Sequence, residues 1–171
     1  MVERTDKKRI FICRAAQYAL YKNYGIKTIK NKTKLSGVYL YNINPSHALY
    51  KDRSYYYSSQ SKYMQINPEI KAINDLSLIS YKGNDIDIIT NLKHTDYYFA
   101  GHLEYNQFTL AKEYECDLKI NSNIPTPENY FIDDSSIPLE ERWYNSAEEI
   151  YKFILKKNKG QIHVICLLSY R

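Results

Sequence analysis

Cysteine is scarce and odd in number: Cys13, Cys116 and Cys166 share no metal-ligand spacing. That argues against a disulfide framework and a zinc knuckle, and a reducing, cytoplasmic setting is the simplest expectation. Long apolar runs are missing too. The longest, Val164–Leu168, falls far below the roughly 20 residues a membrane helix needs. The stretch from Met1 to Arg9 is polar with no apolar h-region, so it is not expected to act as a signal peptide. No internal repeat or low-complexity tract appears. Nor is there a long block of one charge sign. The net charge is +5, but Lys and Arg are spread along the chain, with small clusters at Lys7–Arg9, Lys27–Lys34 and Lys156–Lys159. Spread charge makes no case for nucleic acid as a partner. The same balance suits a small anionic co-substrate such as an acyl-CoA.

What is present is enough for one ordinary domain: 171 residues, 44% apolar and 25% charged. The 19 tyrosines are a compositional bias from which no function follows. Arg9–Cys13 reads as a short buried strand, and Arg14 to about Tyr24 as a helix, with Ala15, Ala16, Ala19, Leu20 and Tyr24 on its buried side. Gly25 is placed to end it. Lys30–Lys34 reads as a basic loop, Gly37–Tyr41 as a strand, and Asp52–Lys62, rich in Ser and Tyr, as a surface loop. Leu76–Tyr81 and Ile86–Thr90 read as a hairpin around a Gly-Asn turn. Tyr97–Ala100 is a further strand. Gln107–Asp117 is expected to be helical with Asn106 as its N-cap, and Cys116 is expected to face the core. His47 and His94 are assigned to the surface or to loops. The segment from Asn121 to Arg142 reads as irregular. Ser146–Lys157 forms a second helix on the stripe Ala147, Ile150, Tyr151, Ile154 and Leu155, stopped by Gly160. Gln161–Tyr170 is either a last strand or an unpacked tail. The pattern is α/β, yet only one βα unit precedes the hairpins, where a doubly wound sheet normally has several.

Three stretches could share chemistry. Cys13 sits where a strand meets a helix. A thiol there is either an inert core residue or a nucleophile whose thiolate is favoured by the helix N-terminus. "AGHLEYN", residues 100–106, places His102 and Glu104 two apart after a strand, so both side chains leave one side. "KTKLSGVY", residues 32–39, puts Lys34 at a loop-to-strand transition. A nucleophilic thiol needs a base, and the base needs an orienting partner. Cys13, His102 and Glu104 supply that set; a strand-end capping pair is the other reading of His102 and Glu104.

The stretches "FICRAAQYALYKNYGI", "KTKLSGVY", "NPSHAL", "SQSKY", "AGHLEYNQFTLAKEY" and "IPTPENYF", with Trp143 and a terminal helix, follow one another from about residue 9 to residue 158. In that order they resemble the C-terminal part of the homoserine O-succinyltransferase / O-acetyltransferase family of methionine biosynthesis. The resemblance implies a flavodoxin-like, class I glutamine-amidotransferase-like α/β domain. It is a partial one, without counterparts of the N-terminal strands and helices. It makes 1–160 the C-terminal portion of such a domain and leaves 161–171 as a tail of unknown structure. It implies that Cys13 is the nucleophile, His102 the base and Glu104 the third catalytic acid. It also implies that Lys34 and Ser61 bind substrate and that the backbone N–H of Arg14 forms half of an oxyanion hole. The implied reaction is ping-pong acyl transfer from succinyl-CoA or acetyl-CoA through a Cys13 thioester to L-homoserine, with no bound cofactor and no metal.

Several positions depart from the family pattern. Arg14 stands where the family has Trp, Leu103 replaces Pro, and Asn106 replaces Asp. Cys116 occupies the position of a substrate-binding arginine, which removes a bidentate partner for a carboxylate. Three readings follow. The chain is an acyltransferase whose N-terminal half comes from a separate chain, with a homodimer as the other partner expectation. Or it is an inactive remnant of a truncated or split gene. Or it is an amidotransferase-like Cys–His–Glu enzyme with another acceptor. A sheet lacking the N-terminal strands is expected to expose an open edge.

Overall fold

The computed structural model describes residues 7–132, 143–156 and 162–166. They build one seven-stranded mixed sheet with helices on its faces. The strands are β1 (Lys8–Ile12), β2 (Ile29–Ile43), β3 (Tyr55–Gln65), β4 (Leu76–Lys82), β5 (Asp85–Asn91), β6 (Asp96–Phe99) and β7 (Ile162–Cys166). The helices are α1 (Arg14–Tyr24), α2 (Thr109–Ile120) and α3 (Tyr144–Lys156). The strand order is β3-β2-β4-β5-β6-β1-β7. β1 runs parallel to both its neighbours, β6 and β7, and the remaining pairs are antiparallel.

β1 shows how the sequence makes two cores. Successive side chains leave opposite faces of a strand. Ile10 and Ile12 therefore join the cluster under α3, with Trp143, Ala147, Ile150 and Ile154. Phe11 faces the other way and joins Ala15, Ala16, Ala19 and Leu20 of α1. Small alanines let α1 lie close to the sheet. It ends at Gly25, in left-handed backbone with φ 71°, whose N–H donates to the Tyr21 carbonyl at 2.9 Å.

The hairpin, the strand before Gly101 and the terminal helix form as the sequence predicts. Other expectations change. The basic stretch Lys30–Lys34 belongs to β2, whose pairing with β3 shifts register between Lys30 and Leu35. The segment expected to be a surface loop around Asp52–Lys62 is largely β3. Its buried residues include Ser58, Ser59, Gln60 and Lys62, so no apolar alternation marks it. α2 starts at Thr109, later than expected. Asn106 accepts instead from the Phe108 N–H and the Thr109 hydroxyl, both at 2.9 Å. Cys116 is exposed and not in the core. His47 is buried, with its ring 5.5 Å from Phe153 and 6.1 Å from His94. Leu155 is 48% exposed, outside the stripe that Ala147, Ile150 and Ile154 bury.

Of the two readings of the C-terminal segment, the strand is right over Ile162–Cys166. It covers the flank of β1 that would otherwise be bare, so the open edge passes to β7, where Val164 is 60% exposed. Lys157, Lys159, Gly160 and the part of the irregular segment over 133–142 lie outside the described residues. Among the described residues, no helix is long and apolar enough to cross a membrane.

Candidate active site

Cys13 is the joint between β1 and α1. Its backbone has φ 52° and ψ −114°, a region that costs a non-glycine residue about 1–3 kcal/mol. The neighbouring elements hold it there. Its N–H donates to the Phe99 carbonyl of β6 at 2.7 Å, and its carbonyl accepts from the Gln17 N–H at 3.0 Å. A sharp strand-to-helix elbow lifts the side chain above the sheet end. The Arg14 N–H, the next along, opens α1 and belongs to the unpaired first turn of a helix.

His102 reaches the same sheet end from β6. Its backbone is clamped by β3: the His102 N–H donates to the Ser59 carbonyl at 2.8 Å, and the Ser59 hydroxyl donates to the His102 carbonyl. The imidazole is 8% exposed, and its Nδ1 lies 2.7 Å from Oε1 of Glu104. The Cys13 thiol stands near enough to act on the ring as well. Burial works against a charged ring, but the neighbouring Cys13 and Glu104 outweigh it and push the His102 pKa up to about 10. The three residues expected to act together are therefore brought together.

Neighbouring residues hold this group in place. Tyr105 stacks on the His102 ring, with centroids 4.1 Å apart. Its hydroxyl donates to Glu113 at 2.7 Å, and its carbonyl accepts from the Trp143 indole N–H at 2.7 Å. Below His102, the buried Asp87 accepts from the Gly101 N–H at 2.8 Å and from Gln60 at 2.9 Å through Oδ1, and from the Tyr56 hydroxyl at 2.5 Å through Oδ2. Gly101 must be glycine, because a Cβ there would lie 2.1 Å from Gln60 Nε2 and 2.4 Å from Ser58 Oγ. Tyr105 lies within the 100–106 motif and could have been read from it. Ser59 and Asp87 could not, because each meets His102 or Gly101 only across the sheet.

The other two expected residues divide. Ser61 is two positions from Ser59 on β3, so it shares the side of that strand which meets His102. Lys34 is paired with Asp117 of α2, and both side chains are buried, at 7% and 6% exposure. Its charge is matched within the protein. A cavity of about 380 Å³ opens beside it, lined by Ser36, Tyr39, Lys82, Asp85 and Glu128 among others. The Cys–His–Glu group does not line that cavity. Among the described residues, no cluster of His, Cys, Asp and Glu is arranged to hold a metal ion.

The family model described as homoserine O-succinyltransferase matches residues 3–158. Homoserine O-acetyltransferase of Thermotoga neapolitana is 31% identical over 128 residues, covering 73% of this chain and 42% of that protein. The enzyme of the same name from Lactococcus lactis subsp. lactis is 35% identical over 144 residues, covering 81% and 44%. The chain thus spans about half the length of the curated relatives it matches. Among solved structures, a glutamine amidotransferase from Thermotoga maritima superposes with a TM-score of 0.60 at 13% identity, over 86% of this chain and 60% of that one. Another from Methylobacillus flagellatus gives 0.61 at 14%, over 90% and 64%. The fold is that of the class I glutamine amidotransferases.

Proposed function

The chain belongs to the homoserine O-succinyltransferase family, and from that premise we propose that it carries the catalytic half of a homoserine O-acyltransferase. The observation that carries this reading is the joint placement of Cys13, His102 and Glu104. The thiol stands on a strained elbow close to His102, and the Glu104 carboxylate orients the ring at 2.7 Å.

The chemistry follows from the charge on His102. A ring that keeps its proton to about pH 10 is an imidazolium at neutral pH, and that proton is available to a leaving sulfur. The Cys13 sulfur attacks the acyl-CoA carbonyl, and the Arg14 N–H faces the developing oxyanion. As the intermediate collapses, the C–S bond to coenzyme A breaks, and its sulfur takes the proton from His102. Cys13 is now a neutral thioester, and His102 has lost the charge beside it. It can accept the hydroxyl proton of homoserine as that oxygen attacks the thioester. Breaking the Cys13 thioester bond releases O-acylhomoserine and restores the starting pair. Ser61 and the Lys34–Asp117 pair would line the acceptor side.

We assign residues 1–160 to this portion of the domain and 161–171 to a tail. The setting would be the reducing cytoplasm. Intact-mass measurement after incubation with succinyl-CoA or acetyl-CoA tests the reading and identifies the donor. One acyl group added to the wild-type chain and absent from Cys13→Ala supports it. No acylation of a folded chain would overturn it.

One observation favours a changed acceptor. Cys116 is exposed at the position matching the family's arginine, and Lys34 is already paired. Acylation of Cys13 without transfer to homoserine would select that reading.

A further inference from the structure

The appended strand β7 brings a second thiol to the catalytic one. β1 and β7 run parallel, with Ile12 opposite Cys166, and Cys13 is the next residue after Ile12. Neighbouring strands lie about 4.8 Å apart and one residue advances about 3.3 Å, so the two cysteine Cα atoms fall about 6 Å apart. That is inside the window of about 4.4–6.8 Å that a disulfide spans. The side chains also share a face. Ile12 sits in the cluster under α3, and Cys13 and Ile162 pack against that cluster. Positions 162, 164 and 166 alternate with 163 and 165 along β7, so Cys166 leaves on the side of Ile162. Glu104 and Cys13 both act electrostatically on the Cys166 thiol, as they must if it stands beside the Cys–His–Glu group. Cys166 is exposed, and Cys13 is partly so.

We propose that Cys166 is a resolving thiol for Cys13, so that peroxide converts the pair into an intramolecular disulfide that closes the catalytic sulfur reversibly. The step balances. The Cys13 sulfur attacks the peroxide, the O–O bond breaks, and Cys13 becomes a sulfenic acid with release of one water. The Cys166 sulfur then displaces the hydroxyl, giving the S–S bond and a second water. Two thiols lose two protons and two electrons, and hydrogen peroxide is the oxidant that accepts them. A thiol that bears acyl-transfer chemistry is also the one most open to irreversible over-oxidation, and a resolving partner diverts it to a form that cellular thiols reduce. In a reducing compartment such a bridge is transient. The inference rests on strand register and holds independently of acyl transfer.

The test is intact-mass and peptide mass spectrometry of the full chain after hydrogen peroxide, with free thiols blocked before digestion. The wild-type chain is expected to lose the mass of two hydrogen atoms, to yield a linked Cys13–Cys166 peptide pair, and to recover on reduction. Cys116→Ser should keep the bridge. Cys166→Ser should lose it entirely and accumulate sulfinic acid at Cys13. A bridge to Cys116 would overturn the inference. So would equal over-oxidation of Cys13 in wild type and Cys166→Ser. Bridging without acylation by acyl-CoA would sink the acyl-transfer reading alone; acylation without bridging would sink this one alone.

Discussion

The Nδ1 of His102 lies 2.7 Å from Oε1 of Glu104, and that contact decides how the ring is used. It commits one nitrogen to the carboxylate, with the Cys13 thiol also near the ring. Glu104→Gln keeps the shape and removes the charge. The His102 titration midpoint, read by NMR of the imidazole, should then fall from about 10 towards its ordinary value of 6.5. Acylation of Cys13 should slow by about 10⁴-fold, the loss seen when a triad carboxylate is replaced by its amide. An unchanged midpoint would remove Glu104 from the group.

The same shift makes stability depend on pH. The folded pKa of His102 is raised from 6.5 to about 10, so the folded state binds a proton that the unfolded state releases between those values. The stabilisation from this group is complete below pH 6.5 and is lost as pH rises through about 10. Urea midpoints should fall across that window. The fall should be shallower in His102→Gln, and a parallel fall in that variant would assign it to other groups.

Lys34 and Asp117 are buried together. Removing one partner strands a charge, and Lys34→Met or Asp117→Leu alone should each cost about 3–5 kcal/mol in denaturant melts. The double variant should recover most of that loss. Strict additivity would show that the two side chains are not coupled.

Gly101 is confined by Gln60, Ser58 and Asp87. Gly101→Ala forces a methyl group into this hydrogen-bonded layer and should destabilise the fold by about 3 kcal/mol, an overpacking cost at the upper end of the usual range. A thermal melt within about a degree of wild type would mean the layer yields more easily than its contacts imply.

Much of this protein is legible along the chain because it is local. A strand, one cysteine and an alanine-rich helix predict the elbow, since period-two and helical patterns meet at one residue. Gly101, His102, Glu104 and Tyr105 lie within a single motif, so neighbouring backbone alone brings them to one sheet end. What the chain could not disclose depends on residues distant in sequence. β3 reads as loop because its buried side chains are polar, and only their hydrogen bonds across the sheet make that burial tolerable. Lys34 reads as a free cation until α2 folds back and offers Asp117, 83 residues away. The segment after α3 stays undecided between strand and tail until the bare flank of β1 supplies its backbone partners. Local pattern sets which elements form. Which polar groups are satisfied, and which two cysteines stand side by side, follows only when the sheet closes in three dimensions.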